Sequence, residues 1–169
     1  QADMATIRGT IKAQKNELSR GTVDSYVAAL RALYVFEDLP AWTPSLRSKT
    51  RIATTPTRHF VDPSLAVAAL GASPAILLKD LPTLDLLFES MAVRDLRVYA
   101  QTLKGDVFHY RDATGLEADA AVVLRDGRWG LVEVKLGASL VDEGAANLLK
   151  LAGRIDHDVM GAPSFLLVI

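Results

Sequence analysis

Two closely spaced pairs of ionisable residues are the part of the sequence best suited to chemistry. Glu117 and Asp119 are separated by one residue, and so are Glu133 and Lys135. Because side chains along a β-strand point alternately to opposite faces, the two members of each pair would share a face. If the two segments pair as a hairpin, their carboxylates and the ammonium of Lys135 would converge on one side of a sheet. A hairpin does not need such a cluster for stability, whereas a metal-dependent hydrolase does.

The pattern around these pairs alternates between helical and extended segments. Asp126-Gly127 is a hairpin turn signal of the Asp-Gly type. The predicted elements are a helix over residues 85–103, strands over 107–111, 116–124 and 129–136, a helix over 140–155 and, from an all-apolar run that suits a buried central strand, a strand over 164–169. This αβββαβ order predicts an α/β (α+β) fold with a mixed central sheet flanked by helices.

Three shorter elements are predicted to precede this core. They are a strand over residues 58–62, a helix from Pro63 to Leu70 that Gly71 closes, and a second helix from Pro74 to Lys79. Asp62 and Pro63 form a helix start signal, because proline favours the first helical position.

The composition fits an ordinary globular domain. The chain has 169 residues, of which 50% are hydrophobic and 23% are charged, with a formal net charge of −1. This balance argues against a strongly basic nucleic-acid coat protein but leaves room for a local basic groove. There is no cysteine, which excludes disulfides and thiolate metal sites and favours a cytoplasmic setting. No apolar run is long enough to span a membrane, and no Walker-type loop offers a nucleotide site.

Residues 1–62 are predicted to form a helix-turn-helix or winged-helix-like segment, and residues 63–169 a second domain. The predicted elements of the first segment are a helix over residues 2–18, a turn at 19–22, a helix over 23–33 capped by Thr22, and wing strands over 34–36 and 49–52.

DNA binding is one interpretation of this first segment, and a structural helical module or an interdomain linker is the other. The basic residues that could contact phosphate are Arg20, Arg31, Arg47, Lys49 and Arg51. The second helix carries few basic or amide side chains, which weakens the case for direct recognition of base edges.

The order of elements, with an acid on the second strand and Glu-x-Lys on the third, resembles the PD-(D/E)XK nuclease superfamily. This superfamily has the restriction-endonuclease-like fold. Asp119 matches the first acid of its motif, and Glu133-Val134-Lys135 matches the (D/E)XK element. Glu89, in the long helix, matches an additional acid that many members carry. Ala118 stands where the motif has its proline, and Glu117 adds an acid that the motif does not require.

The whole chain is also similar to the C-terminal region of a large set of prokaryotic AAA-type ATP-binding proteins of unknown function. In those proteins a winged-helix segment and a nuclease-like domain follow the ATPase module. The segments that carry the similarity are 22–26 (TVDSY), 39–42 (LPAW), 60–62 (FVD), 87–90 (LFES), 117–119 (EAD) and 133–135 (EVK). The resemblance implies an ATPase module in the same, longer polypeptide, of which this chain would be a fragment.

The ligand chemistry of Mg²⁺ suggests a role for each residue of the motif. Asp119, Glu133, Glu89 and the backbone carbonyl of Val134 would bind Mg²⁺ or Mn²⁺, because such ions take hard oxygen ligands and keep several waters. The ion would lower the pKa of a bound water and offset charge on phosphate. Lys135 would orient that water or stabilise the transition state. The predicted catalytic residues are therefore Asp119, Glu133, Lys135 and Glu89.

Further charged residues are assigned more loosely. Glu117 could assist a second ion, and Arg94, Arg97 and Arg111 are candidate phosphate contacts. A purely structural interpretation also exists, in which Glu133 and Lys135 form a surface ion pair worth well under ~1 kcal/mol.

Three functions are consistent with these residues. The first is a nuclease-like domain that binds DNA and hydrolyses phosphodiesters with Mg²⁺ or Mn²⁺. The second is a catalytically inactive module of the same fold that serves as a DNA-binding or protein-interaction platform. The third is a hydrolase that acts on a small ligand with the same carboxylates. The sequence leaves the oligomeric state open.

Overall fold

Helices and strands alternate along residues 19–169, the part of the chain that the computed structural model describes. The helices in this range are α1 (Arg20–Ala32), α2 (Pro63–Leu70), α3 (Pro74–Leu77), α4 (Leu81–Thr102), α5 (Val141–Ala152) and α6 (His157–Met160), with a 3₁₀ turn at Ala138–Leu140. The strands are β1 (Phe36–Leu39), β2 (Thr57–Phe60), β3 (Gly105–Arg111), β4 (Glu117–Leu124), β5 (Trp129–Glu133) and β6 (Phe165–Val168). The predicted αβββαβ order is confirmed from α4 to β6, with only the single-turn α6 added.

The main sheet is mixed, as predicted. Its strand order is β3-β4-β5-β6, with antiparallel pairing from β3 to β5 and parallel pairing between β5 and β6. The predicted turn at Asp126-Gly127 is also present. Gly127 has a φ of 89°, which glycine adopts without a steric penalty, and the amide of Leu124 donates to the carbonyl of Arg128 at 2.8 Å.

The two long helices cover opposite faces of this sheet. Helix α4 contacts β3 and β4, and its Val93 packs with Val122 and Val132 in one core cluster. Helix α5 contacts β4, β5 and β6, and its Leu148 packs with Leu131 in a second cluster. Strands β4 and β5 therefore lie in the middle of a three-layer arrangement, and their ends are held in place by packing on both sides.

The prediction that the last strand, β6, is a buried central strand is wrong. Within residues 19–169 its only ladder neighbour is β5, so it lies at the edge of the sheet. Leu166 and Val168 pack with the cluster beneath α5, whereas Phe165, Leu167 and Ile169 remain 40%, 43% and 39% exposed. An all-apolar run predicts burial on both faces, but α4 lies over β3 and β4 and leaves this side of β6 uncovered.

Helix α4 begins at Leu81, earlier than the predicted start at residue 85. The side chain of Asp80 caps it by accepting hydrogen bonds from the amide and hydroxyl of Thr83 at 3.3 and 2.7 Å, and Pro82 occupies the first turn. Helix α2 has the predicted signals, because Asp62 accepts from the amide of Ser64 and Gly71 ends the helix with a φ of 59°.

The start of α1 differs from its prediction. Residues 20–22 are helical and not a turn, and the cap is Ser19, whose side chain accepts a hydrogen bond from the amide of Thr22 at 3.1 Å. Thr22 is therefore not the N-cap. The predicted helix over residues 2–18 lies outside the described residues, so the helix-turn-helix stays a prediction.

The predicted wing is wrong. Strand β1 pairs with β2, not with residues 49–52. Thr57 and His59 of β2 are buried, whereas residues 49 and 51 are exposed. Ile52 instead forms a single bridge with Asp112, so this segment runs beside the end of β3. Strand β1 therefore pairs with the segment whose alternate side chains are buried, which is β2.

The described part of the chain contains no helix that could span a membrane. None of the helices within residues 19–169 is both long enough and apolar enough to cross a bilayer.

A buried carboxylate ties the β3–β4 turn to the end of α5. The side chain of Asp112 is 0% exposed and accepts hydrogen bonds from the amide and hydroxyl of Thr114 at 2.8 and 2.6 Å. It also accepts from the amide of Leu116 at 3.2 Å and from the guanidinium of Arg154 at 2.6 Å. This turn positions the first residues of β4, which include the predicted acids.

We expect Asp112→Ala to lower the free energy of unfolding by about 3 kcal/mol, because it leaves buried donors and the Arg154 cation without their acceptor. Urea denaturation at pH 7 measures this loss. Asp126→Ala is the matched control, since Asp126 closes the next turn with a side chain that is 54% exposed. The control should unfold as the unchanged protein does, and equal losses in the two variants would contradict the structural role of Asp112.

Candidate functional site

Strands β4 and β5 separate where the predicted acids begin. Their antiparallel pairing runs from Val123↔Trp129 to Ala120↔Val132 and ends there. Asp119 and Glu133 thus lie just beyond the last pair, at an opening that we call the fork. The predicted acids therefore line the place where the hairpin opens and not a continuously paired stretch of it.

A β-bulge in β4 interrupts the alternation of side chains between the two faces of the sheet at Asp119. Between the pairs Phe108↔Ala121 and Tyr110↔Ala118, β4 contains one residue more than β3. Ala118 packs in the cluster beneath α5, whereas Ala120 packs in the cluster beneath α4. Strict alternation would put both alanines on one face. The extra residue breaks this alternation, as bulges beside functional sites often do.

Asp119 reaches across the fork to β5. Its Oδ2 accepts a hydrogen bond from the amide of Val134 at 2.8 Å. Val134, which was predicted to offer its carbonyl to a metal, is thereby brought to the site through its amide.

Glu133 lies on the α5 side of the fork and is 3% exposed. Its Oε1 is 2.7 Å from Nζ of Lys135, and its Oε2 is 3.5 Å from Nδ2 of Asn147 on α5. A Cβ atom on Gly144 would stand 3.3 Å from Cγ of Glu133, so the helix backbone passes close to this carboxylate. Helix α5 is therefore part of the site.

Glu89 approaches the fork from α4. Its side chain is 14% exposed, and its Oε1 is 4.0 Å from Nε2 of His59 on β2. The negative charge of Glu89 acts on Asp119 strongly enough to raise the pKa of that carboxyl. The structure therefore brings Glu89, Asp119, Glu133 and Lys135 into one electrostatic cluster, as predicted from the sequence.

Burial and mutual repulsion set the charge states of this cluster. Burial, together with the charges of Glu89 and Glu133, raises the pKa of Asp119 to about 7. Burial also raises the pKa of Glu133, although the ammonium of Lys135 opposes the shift. Burial alone would lower the pKa of Lys135, but its hydrogen bond to Glu133 raises it overall. One cation thus faces a surplus of carboxylates, and such an environment attracts a second positive charge.

Of the more loosely assigned residues, Glu117 acts on the cluster through its charge, which helps to raise the pKa of Glu133, whereas the arginines pair with other acids. Glu117 is 46% exposed and lies 3.7 Å from Nε of Arg111. Arg94 pairs with Asp95 at 2.8 Å, and Arg97 pairs with Glu37 at 2.9 Å. Arg31, a predicted phosphate contact of the first segment, similarly pairs with Asp38 at 2.8 Å. Such surface pairs exchange readily with other anions, so a role in phosphate binding stays a prediction.

Sequence reasoning missed two polar residues of the site. His59 is buried, its Nε2 is 3.1 Å from the hydroxyl of Thr57, and burial lowers its pKa to about 4. Asn147 is half-buried in α5. The sequence contained a signal for Asn147, because an amide side chain between the apolar residues of a helix that packs on a sheet needs a polar partner there.

A cavity of about 390 Å³ opens between the fork and α5. Its walls are formed by residues from the β3–β4 turn, the fork and one side of α5, namely Gly115, Glu117, Glu133, Lys135, Glu143, Gly144, Ala146, Asn147 and Lys150.

The donor atoms at the fork suit a hard divalent cation. Carboxylate and carbonyl oxygens are the ligands of Mg²⁺, which commonly takes one or two carboxylates and keeps waters for its other positions. Among residues 19–169, no group of three or more His, Cys, Asp or Glu side chains stands ready to hold a metal. Asp119 with one neighbouring acid therefore matches what the site offers better than a complete protein cage.

Comparison with known families divides the chain into two matched regions. Residues 3–75 match a domain of unknown function (DUF8612), and residues 85–164 match a domain of unknown function (DUF4143). DUF4143 is a domain found in AAA-ATPase-associated proteins, and the matched range contains the four predicted catalytic residues. Neither a curated protein nor a solved structure matches the chain. The predicted division at residues 62 and 63 stays a prediction.

We expect Asp119→Asn to stabilise the protein above neutral pH. The pKa of Asp119 is about 7 in the folded state and near 3.8 otherwise, so the folded protein holds the extra proton between these values and loses stability as the pH rises through them. Asparagine keeps an acceptor for the amide of Val134 but carries no charge. Allowing for partial exposure, the gain at pH 8 should be about 2 kcal/mol, and it should vanish near pH 4.

Urea denaturation at pH 4, 6 and 8 without divalent cations measures this difference. Asp106→Asn is the matched control, because Asp106 lies exposed on β3. It should not reproduce the gain in stability that Asp119→Asn shows at pH 8. A destabilisation of Asp119→Asn at pH 8 would show that the carboxylate is not held at an energetic cost.

Proposed function

We propose that residues 63–169 form a metal-dependent, nuclease-like domain that binds DNA and hydrolyses phosphodiester bonds as part of a larger ATPase-type protein. The observation that carries this proposal is the cluster at the fork, where Asp119 feels the charges of Glu89 and Glu133 and the ammonium of Lys135 contacts Glu133 at 2.7 Å. Burial and mutual repulsion raise the pKa of Asp119 to about 7, so the cluster destabilises the fold. Groups held at such a cost are typical of functional sites.

The architecture supports the same proposal. The order α4-β3-β4-β5-α5-β6 and the mixed sheet are those expected of a restriction-endonuclease-like core. Asp119 lies on the second strand of this core, and Glu133 ends the third. This placement of the two acids supports the proposed likeness to the PD-(D/E)XK superfamily.

Asp119 and one neighbouring acid, Glu133 or Glu89, would hold Mg²⁺ or Mn²⁺ together with the carbonyl of Val134. When bound, such an ion supplies an activated water and offsets the negative charge of the phosphate. The hydrogen bond from the amide of Val134 orients Asp119, and Lys135 orients Glu133.

Lys135 contributes a charge that the acids cannot. Its side chain is 26% exposed, so its ammonium can contact both Glu133 and a phosphate at the mouth of the fork. An ammonium there stabilises negative charge that develops on the phosphate during attack by water. It acts as a point charge with three rotatable donors, which suits an approaching anion of variable geometry.

The family relationship suggests where this activity operates. DUF4143 occurs in AAA-ATPase-associated proteins, and we propose an ATPase module in the same polypeptide as the partner of this domain. DNA is the proposed substrate, and the cytoplasm is the proposed compartment.

We expect the purified protein to nick or linearise supercoiled plasmid in Mg²⁺ or Mn²⁺, and chelation of the metal to stop the reaction. Asp119→Ala and Lys135→Ala should each reduce the rate by roughly 100-fold or more, because each removes a charge that acts on the transition state. Gel electrophoresis of timed samples measures the rate.

Asp106→Ala serves as the control for this experiment, since it removes an exposed carboxylate on β3 that lies outside the fork cluster. Its rate should equal that of the unchanged protein. Cleavage that survives Asp119→Ala would remove the fork from the mechanism and would point to a contaminating nuclease.

A non-catalytic platform is the second candidate, and two observations favour it. Glu133 is already neutralised by Lys135 at 2.7 Å, and no ready group of three metal ligands exists within residues 19–169. Isothermal calorimetry separates the candidates. Binding of Mn²⁺ that Asp119→Asn weakens would support the enzyme, whereas no heat of binding together with retained DNA affinity would support the platform.

A further inference from the structure

Asn147 lies where the two strands of the fork separate. Its Nδ2 donates a hydrogen bond to the backbone carbonyl of Glu117 on β4 at 2.8 Å. The same nitrogen lies 3.5 Å from Oε2 of Glu133 at the end of β5. One amide from α5 therefore links the two separated strands.

The orientation of this amide is fixed by chemistry. Both of its neighbours are oxygen atoms that can only accept while Glu133 is ionised, and an amide nitrogen carries two protons. The nitrogen must therefore face the fork, because the opposite orientation would set three acceptors against one another.

The helix is shaped to bring Asn147 this close. Gly144 lies one turn earlier, and a Cβ there would stand 3.3 Å from Cγ of Glu133 and 3.3 Å from Cγ1 of Val168. These distances are shorter than ordinary contacts between carbon atoms, so a side chain at this position would push α5 away from β5. Glycine lets the helix approach until Asn147 reaches both strands.

The two oxygens of Glu133 have different partners. Lys135 contacts Oε1 at 2.7 Å from the solvent side, and Asn147 approaches Oε2 from α5. A cation that binds this carboxylate can compete with the Lys135 contact, because both would bind Glu133 through their positive charge. The side-chain amide of Asn147 carries no charge and belongs to a packed helix, so it can hold the carboxylate of Glu133 whether or not a cation is bound.

We propose that Asn147 is a positioning residue of the site, which holds the carboxylate of Glu133 and the end of β4 across the fork. The proposal rests on the proposed function for its consequence, since it makes the affinity for a divalent cation depend on Asn147. In this role Asn147 acts on the ion through Glu133 and not as a ligand. Outer partners of this kind typically contribute 10- to 100-fold to metal affinity.

The first experiment measures Mn²⁺ affinity by calorimetry on the whole chain. Asn147→Leu should weaken binding by roughly 10- to 100-fold, and Asn147→Gln should recover part of that loss because it restores the donor. Asp142→Asn is the matched control, since it removes a charge from an exposed position on the same helix and should bind as the unchanged protein does. Circular dichroism confirms that each variant is folded before titration.

The second experiment uses no metal. A double-mutant cycle compares the unfolding equilibrium constants of Asn147→Leu, Glu133→Gln and the combined variant in urea. If the amide holds the carboxylate, the effect of Asn147→Leu should be roughly threefold to tenfold smaller once the charge of Glu133 is gone. A purely structural role of Asn147 on the carbonyl of Glu117 would give equal effects in both backgrounds.

The two experiments separate the inference from the proposed function. Mn²⁺ binding that Asn147→Leu leaves unchanged would overturn the inference and leave the proposed function standing. An absence of Mn²⁺ binding in the unchanged protein would overturn the proposed function, and the cycle would then decide the inference alone. Coupling of at least threefold supports it, and coupling below threefold overturns it.

Discussion

The centre of the main sheet contains a gap that the backbone cannot close by itself. Strands β4 and β5 stop pairing at Ala120↔Val132, while the β5–β6 ladder continues to the amide of Lys135. Buried peptide groups that lose a strand partner must find another, because an unpaired buried donor or acceptor is costly. Asp119 accepts from the amide of Val134, and Asn147 donates to the carbonyl of Glu117. Polar side chains are therefore required at this point of the sheet, and the rest of the site is built around them.

The arrangement has an electrostatic cost that packing elsewhere offsets. The carboxylates of Glu89, Asp119 and Glu133 lie close together in a partly dehydrated site. The single ammonium of Lys135 offsets only part of their charge. The apolar clusters on both faces of the sheet pack against the strands that carry the fork. Proteins commonly keep locally unfavourable charges where they serve a purpose, and the stability comes from the surrounding core. This division of labour explains why the acids lie at the end of the most buried strands and not on a mobile loop.

Local signals in the sequence predicted the elements, and long-range contacts decided what local signals could not. Asp62, Pro63, Asp126 and Gly127 fix helix starts and turns within a few residues, so their predictions held. Glu89, Asp119, Glu133 and Lys135 were found because their order along the chain matches a motif. The prediction from alternating side chains failed at Asp119, because a bulge depends on the register of β4 with β3. The position of β6 at the edge depends on which strands α4 covers, and the pairing of β1 with β2 depends on side chains buried by α4. Asn147 was missed because its partners are on strands distant in sequence.

The bulge in β4 has a consequence for how such a domain evolves. The surplus position lies in the stretch of Asp119 and Ala120, between pairs that the sheet needs for its register. Removing the codon for Asp119 would leave Ala118, Ala120 and Ala121 in regular alternation, with each alanine still facing the cluster in which it now packs. The sheet would lose one side-chain hydrogen bond but no element of its core. The acid of the fork and the packing of the core are thus encoded separately here, so that a single deletion could remove the one and leave the other intact.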